Sequence, residues 1–190
     1  MPGTRTTSAS DRMRAMRILV TGGVRSGKST HAEGLLGDEP ATYVAAGPTP
    51  DVERDPDWAA RIAAHRARRP STWATVETHD LAPVVRQASA PVLVDCLGTW
   101  LTAVIDAAGA WEADSDDVHA LVLARTDDLV DALGGCAQDV VLVTNEVGLG
   151  VVPEHRSGRL FRDLLGLVNQ RVAAACDEVH LVVAGRVLRL

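Results

Sequence analysis

Apolar residues in this chain follow two habits in turn. Short, nearly continuous apolar runs recur at Arg17 to Thr21, Ala41 to Ala46, Pro91 to Asp95, Asp139 to Thr144 and Val179 to Ala184. Runs this short, rich in Val and Leu, predict strands buried on both faces. Between them the apolar positions return every three to four residues, which predicts helices. Ser29 to Leu36 sets Ala32, Leu35 and Leu36 on one face and stops at Gly37. Asp57 to Arg68 reads as a helix that Pro70 ends. Leu81 to Ala88 and Leu97 to Ala107 are two more. Asp114 to Leu133 is a long one, and Asp114, Asp116 and Asp117 suit the positive end of its dipole. Arg156 to Cys176 repeats Leu160, Phe161, Leu164, Leu165, Val168 and Val172 at helical spacing. Gly47 to Pro56 holds three prolines and four charged residues and predicts a loop. Strand and helix alternate without an internal repeat, so the expected fold is α/β, a mostly parallel sheet with helices on both faces.

Composition narrows the class. At 190 residues one domain is expected, over 17–190, with residues 1–16 a disordered tail ahead of it. Aromatics make up only 3%, so the core must be built from Ala, Val and Leu. A net charge of -6 without a long basic run argues against general nucleic-acid binding. No apolar stretch is long and uncharged enough to span a bilayer, so no membrane insertion is expected. The basic tail is followed by an apolar run, Ile18 to Val20, too short for a signal peptide. Cys96, Cys136 and Cys176 form no CxxC pair, which fits buried thiols in a reducing, cytoplasmic setting.

The chemistry begins at the first turn. Gly22-Gly23-Val24-Arg25-Ser26-Gly27-Lys28-Ser29 matches G-x-x-x-x-G-K-[ST], between a predicted strand and a predicted helix. Glycines let backbone N–H groups curl around phosphate oxygens, and the helix N-terminus adds positive potential. Lys28 is placed to reach the β and γ phosphates of GTP or ATP, and the Ser29 hydroxyl to ligate Mg²⁺. Lys28 is the chain's only lysine against eighteen arginines. A compact ammonium fits between two phosphates where a planar guanidinium does not.

Three further segments are candidates. Asp95 ends the apolar strand Val92-Leu93-Val94 and is the expected Mg²⁺ or water partner of the P-loop. Val143-Thr144-Asn145-Glu146-Val147-Gly148 ends another strand, where ligands of open α/β sheets sit, though a plain polar turn reads the same way. The third is Arg61 to Pro70, where Trp58 just ahead of it shares a helical stripe with Ile62 and His65. A lone histidine there is ordinarily a packed or surface residue, and the arginines read equally as an anion site or a solvated basic face.

Taken together, Ile18 to Leu190 resembles the bifunctional adenosylcobinamide kinase / adenosylcobinamide-phosphate guanylyltransferase family. The resemblance rests on Ile18 to Ser29, on Arg61 to Pro70 with Trp73, on Val92 to Leu97, and on Val143 to Pro153. Arg159 to Asp163 and Asn169 to Arg171 continue it. The Thr-Asn-Glu-Val-Gly stretch and the His-containing Arg-Pro segment are the specific parts. The chain departs from the family in its longer Gly47 to Pro56 loop and its N-terminal tail.

The resemblance implies a recombinase-ATPase-like P-loop NTPase and two reactions. The first phosphorylates the aminopropanol hydroxyl of adenosylcobinamide with ATP or GTP. The second moves GMP from GTP onto that phosphate through a guanylylated histidine, whose matching position is His65. It further implies nucleotide contacts from the P-loop with Thr30 and from Arg69, Glu77 and Asp95. Mg²⁺ would be held by Ser29 and Asp95, and the chain would assemble as a homotrimer. Apolar helices such as Leu97 to Ala107 are the expected interface. A monofunctional P-loop kinase and a GTP-binding switch are the competing readings.

Overall fold

The computed structural model describes residues 15–47 and 69–190, together with Ala60, Ala63 and Arg66. Most of the tail, most of the Gly47 to Pro56 loop and most of the Asp57 to Arg68 segment, His65 included, lie outside the described residues.

In chain order the elements are β1 (Arg17–Gly22), α1 (Lys28–Leu36), β2 (Thr42–Ala45), β3 (Ala74–Glu77), α2 (Leu81–Arg86) and β4 (Val92–Asp95). There follow α3 (Leu97–Ala108), α4 (Ser115–Gly135), β5 (Val140–Val143), α5 (Arg156–Ala174), β6 (Glu178–Val183) and β7 (Arg186–Arg189). The strands form one sheet in the order β3-β2-β4-β5-β1-β6-β7. All neighbouring pairs are parallel except β6 with β7. This is the mostly parallel sheet the alternating pattern predicts.

Helices cover both faces, and the strands show why. Leu19, Val92, Val94, Val140 and Leu142 pack into one cluster with α2, α3, α4 and α5. Their sequence neighbours Val20, Leu93, Val141 and Val143 join Ala32 of α1, with Tyr43 and Trp73, on the other side. Successive side chains of a strand point to opposite faces, so a strand covered on both sides must be apolar throughout. Val140–Val143 is buried at every position. Asp114 caps α4, its side chain accepting from the Asp116 backbone N–H at 2.9 Å.

Two strands and one expected surface depart from the sequence reading. β3 and β7 are edge strands without an apolar run. Three of four positions in β3 and all four in β7 are exposed, so neither leaves the buried-strand signature. β7 returns through a two-residue turn at Ala184 (φ 50°) and Gly185 (φ 74°), the backbone a tight hairpin requires. The helix expected to supply an interface, α3, instead buries Leu97, Trp100, Leu101, Val104 and Ile105 in the chain's own core. Its apolarity answers to α4, α5 and the sheet. Among the described residues no helix is long and apolar enough to cross a membrane.

Candidate functional site

The glycine-rich motif spans the turn from β1 to α1, since β1 ends at Gly22 and α1 starts at Lys28. A Cβ at Gly22 would stand 2.4 Å from the Val182 carbonyl oxygen and 2.7 Å from Ser26 Oγ, so glycine alone fits. Arg25 (φ 57°) and Gly27 (φ 97°) hold left-handed backbone, which curls the turn. Val24 and Thr30 are exposed, and Ser29 is half-buried in the first turn of α1. Lys28 is buried, and its Nζ donates to the Gly23 carbonyl at 3.2 Å. Ser26 Oγ is buried with no hydrogen-bond partner among the described residues. A buried hydroxyl without a partner is costly, and a phosphate oxygen in the turn would relieve it.

The turn is braced from behind. The Gly185 N–H donates to the Ser26 carbonyl at 2.8 Å, so the β6–β7 hairpin seats against the cradle. A nitrogen of His31 on α1 lies 2.9 Å from Nδ1 of the buried His180 on β6, and His180 Nε2 lies 2.7 Å from Glu178 Oε2. Burial first, then His180 and Arg189, pushes the pKa of His31 below the ordinary histidine value.

Asp95 ends β4, which is separated from β1 by β5 alone. In register it stands beside Ala45 on β2 and Val143 on β5. The Tyr43 hydroxyl donates to Asp95 Oδ2 at 3.3 Å. Burial, and then the neighbouring Asp95 charge, drives the Tyr43 ionisation far above its usual range, so the phenol stays a donor. The Arg69 guanidinium lies 3.6 Å from the centre of the Tyr43 ring, and its Nη1 donates to Thr75 Oγ1 at 3.2 Å. Glu77, at the end of β3, is ion-paired to Arg66. The described arginines of this segment are therefore engaged with named partners rather than simply solvated.

The strand end at β5 is a braced turn. The buried Thr144 hydroxyl donates to Asn169 Oδ1 at 2.6 Å, and Asn169 Nδ2 donates to the Asn145 carbonyl at 3.1 Å. The Glu146 N–H donates to the Gly22 carbonyl at 3.1 Å, tying this turn to the start of the cradle. Glu146 Oε1 accepts from the Gly148 N–H at 2.9 Å, and Arg162 donates to the Gly148 carbonyl at 2.7 Å. Beyond it Leu149 and Val151 are 91% and 93% exposed, which leaves an apolar tip in solvent.

The parallel strands thus bring the P-loop, Asp95, the Asn145–Glu146 turn and Glu77 to the carboxyl edge of the sheet, where ligands of such sheets bind, and Arg69 is linked to Asp95 through Tyr43. Ser29 and Asp95 offer hard oxygens of the kind Mg²⁺ takes, one or two from the protein with substrate phosphates and water completing its shell. The sequence reading did not find Tyr43, Thr75, Arg162 or Gly185. Tyr43 is the chain's only tyrosine, two positions before a strand end, and that was the available signal.

The family described as "Cobinamide kinase / cobinamide phosphate guanyltransferase" matches residues 18–190. The bifunctional adenosylcobalamin biosynthesis protein CobU of Salmonella typhimurium is 46% identical over 185 residues, spanning 90% of this chain and 97% of that protein. Its namesake in Escherichia coli K12 is 45% identical over 179 residues, with the same coverage of both chains. Among solved structures, an ATPase from the type III secretion system of pathogenic bacteria aligns at TM-score 0.55 and 11% identity. It covers 88% of this chain and 51% of its own, so this chain spans about half its length, and the likeness is one of fold.

Proposed function

Because this chain belongs to the cobinamide kinase / cobinamide phosphate guanyltransferase family, we propose that it carries out both reactions at this sheet edge. Adenosylcobinamide is phosphorylated with ATP or GTP, and the product then receives GMP from GTP. The observation that carries the reading is the P-loop cradle, whose Ser26 hydroxyl has no partner among the described residues, on the same edge of the sheet as Asp95.

In the first step the substrate hydroxyl oxygen attacks the γ-phosphorus and its proton passes to solvent; a P–O bond forms, the bond to the β-phosphate oxygen breaks, and ADP or GDP leaves. Lys28 and the backbone N–H groups of the turn would hold the phosphates and offset their charge. Mg²⁺, bound by Ser29 and Asp95, would neutralise developing charge on the phosphate oxygens. In the second step a ring nitrogen of His65 attacks the α-phosphorus of GTP. An N–P bond forms and pyrophosphate leaves. The cobinamide phosphate oxygen then attacks that phosphorus, the N–P bond breaks, and the imidazole is restored. A neutral imidazole is a competent nucleophile near pH 7, and the covalent route divides one hard transfer into two easier ones. Arg69, four residues on, would hold phosphate oxygens during the exchange, and Glu77 would keep the segment in place through Arg66.

The reading takes 17–190 as one domain and 1–16 as a tail outside it. It also takes the chain as a cytoplasmic homotrimer. The free thiols of Cys96, Cys136 and Cys176 support the compartment. Exposed apolar side chains at Leu149, Val151 and Leu188 offer contact surface to other copies. Incubation with α-labelled GTP followed by denaturation tests the central step. Label that is retained, lost in acid and kept in base is expected, as for a phosphoramidate; a protein that retains none is a kinase or a switch.

A further inference from the structure

Two groups assigned above to nucleotide or metal handling, Asp95 and Arg69, meet on one side chain to which neither proposed step gives a role. We infer that Tyr43 is a positioning residue that couples the two halves of the site. Its hydroxyl orients the Asp95 carboxylate, and its ring face orients the Arg69 guanidinium at the end of the His65-bearing segment. The inference rests on the proposed division of labour between Asp95 and His65.

The geometry follows from strand register. Tyr43 pairs with Thr75 on one side and with Leu93 on the other. Leu93 is two residues before Asp95 and therefore on the same face of β4. A tyrosine at this register point reaches the strand-end carboxylate with its hydroxyl, at 3.3 Å from Oδ2. Its cross-strand partner Thr75 receives Arg69 Nη1 at 3.2 Å, while the same guanidinium lies 3.6 Å from the Tyr43 ring centre. Arg69 is thus held on one face by the ring and at one edge by the Thr75 hydroxyl. The Arg69 N–H also donates to the Arg66 carbonyl at 3.3 Å, and Arg66 pairs with Glu77. The end of the segment is therefore fastened to β2 and β3 together.

The two contacts use different parts of one residue, so they can be separated. A donor on Oδ2 restricts rotation of the carboxylate, and with it the orientation presented to a metal at the strand end. A flat ring 5% exposed gives a guanidinium a rigid surface that an aliphatic side chain does not. Tyr43→Phe removes the first contact and keeps the second. Tyr43→Leu removes both.

Two measurements read these effects on the full chain. One is the Mg²⁺ concentration at half-maximal binding of a fluorescent N-methylanthraniloyl GTP, which does not depend on turnover. The other is the rate of acid-labile labelling from α-labelled GTP. For Tyr43→Phe the Mg²⁺ midpoint should rise about three- to tenfold, the worth of one hydrogen bond, while labelling changes less than the midpoint does. For Tyr43→Leu the midpoint should rise similarly and labelling should fall about tenfold or more, with a higher KM for GTP. An unmoved Mg²⁺ midpoint in Tyr43→Phe overturns the inference, as does wild-type labelling in Tyr43→Leu. If Tyr43→Leu does not fold, the nearly isosteric Tyr43→Phe decides alone. A wild type that takes no acid-labile label removes the guanylyl-transfer reading instead, and the Mg²⁺ midpoint of Tyr43→Phe still decides whether Tyr43 positions Asp95.

Discussion

At β1 the edge of the sheet is made of backbone, whereas at β2 and β3 it is made of side chains. The cradle at Gly22–Lys28 owes its shape to left-handed residues, to a glycine pressed against the Val182 carbonyl, and to backbone hydrogen bonds from Glu146 and Gly185. The other end is a chain of contacts from Asp95 through Tyr43 to Arg69 and Thr75, and from Arg66 to Glu77. Backbone cradles bind phosphate whatever reaction follows, because N–H groups and a helix N-terminus recognise charge alone. Side-chain constellations can hold one phosphate or one metal in a particular geometry. The difference teaches that damage to the cradle should strike both reactions, while damage at the side-chain end should divide them.

The largest effect should come from Lys28→Ala. Its ammonium is buried in the cradle, where the proposed mechanism has both reactions offset triphosphate charge. Turnover in each assay should fall by about 10²–10³-fold, as when a preorganised donor to developing charge is removed. Kinase turnover at the wild-type rate would remove the cradle from the mechanism.

Asp95→Asn should come next, and unequally. The amide keeps the shape and loses the charge, so the Mg²⁺ requirement of phosphoryl transfer should shift upward by about 10–100-fold. Thermal unfolding should remain close to wild type, since Asp95 lies at a strand end. A Mg²⁺ titration identical to wild type would make Asp95 only the end of β4.

The smallest effect separates two neighbouring glycines by stability. Gly22→Ala places a methyl 2.4 Å from a backbone oxygen that cannot yield easily, and should destabilise the fold by about 1–3 kcal/mol. Gly23→Ala meets nothing within 4 Å and should leave the denaturation midpoint unchanged within about 0.5 kcal/mol. Equal destabilisation of the two would mean that the turn is not pinned by Val182.

The same contrast explains what could be read from the chain. The cradle is encoded in eight consecutive residues, and the strands that place it, β1, β4 and β5, are covered on both faces and carry nearly continuous apolar runs. Both are local signals. Asp95 was legible because it closes such a strand. Tyr43, Thr75 and Arg69 come from two strands and the segment between them, and they meet only through the pairing of β2 with β3. β3 is an exposed edge strand whose only partly buried residue is Val76, so no pattern announced that pairing. The apolarity of α3 was visible, but not its destination. An apolar stripe looks the same whether it faces another chain or its own core, and here it packs on the sheet and α5.

The central claim is that one chain holds two reactions divided at His65. The direct measurement is His65→Ala assayed for both products, adenosylcobinamide phosphate and adenosylcobinamide-GDP, with α-labelled GTP followed in parallel. The kinase step needs a cradle, Mg²⁺ and an aligned hydroxyl, but no covalent enzyme intermediate. The account predicts that the variant loses labelling and guanylyl transfer while phosphorylation continues. A variant that labels as well as wild type, or that loses phosphorylation together with guanylyl transfer while still folded, would contradict it.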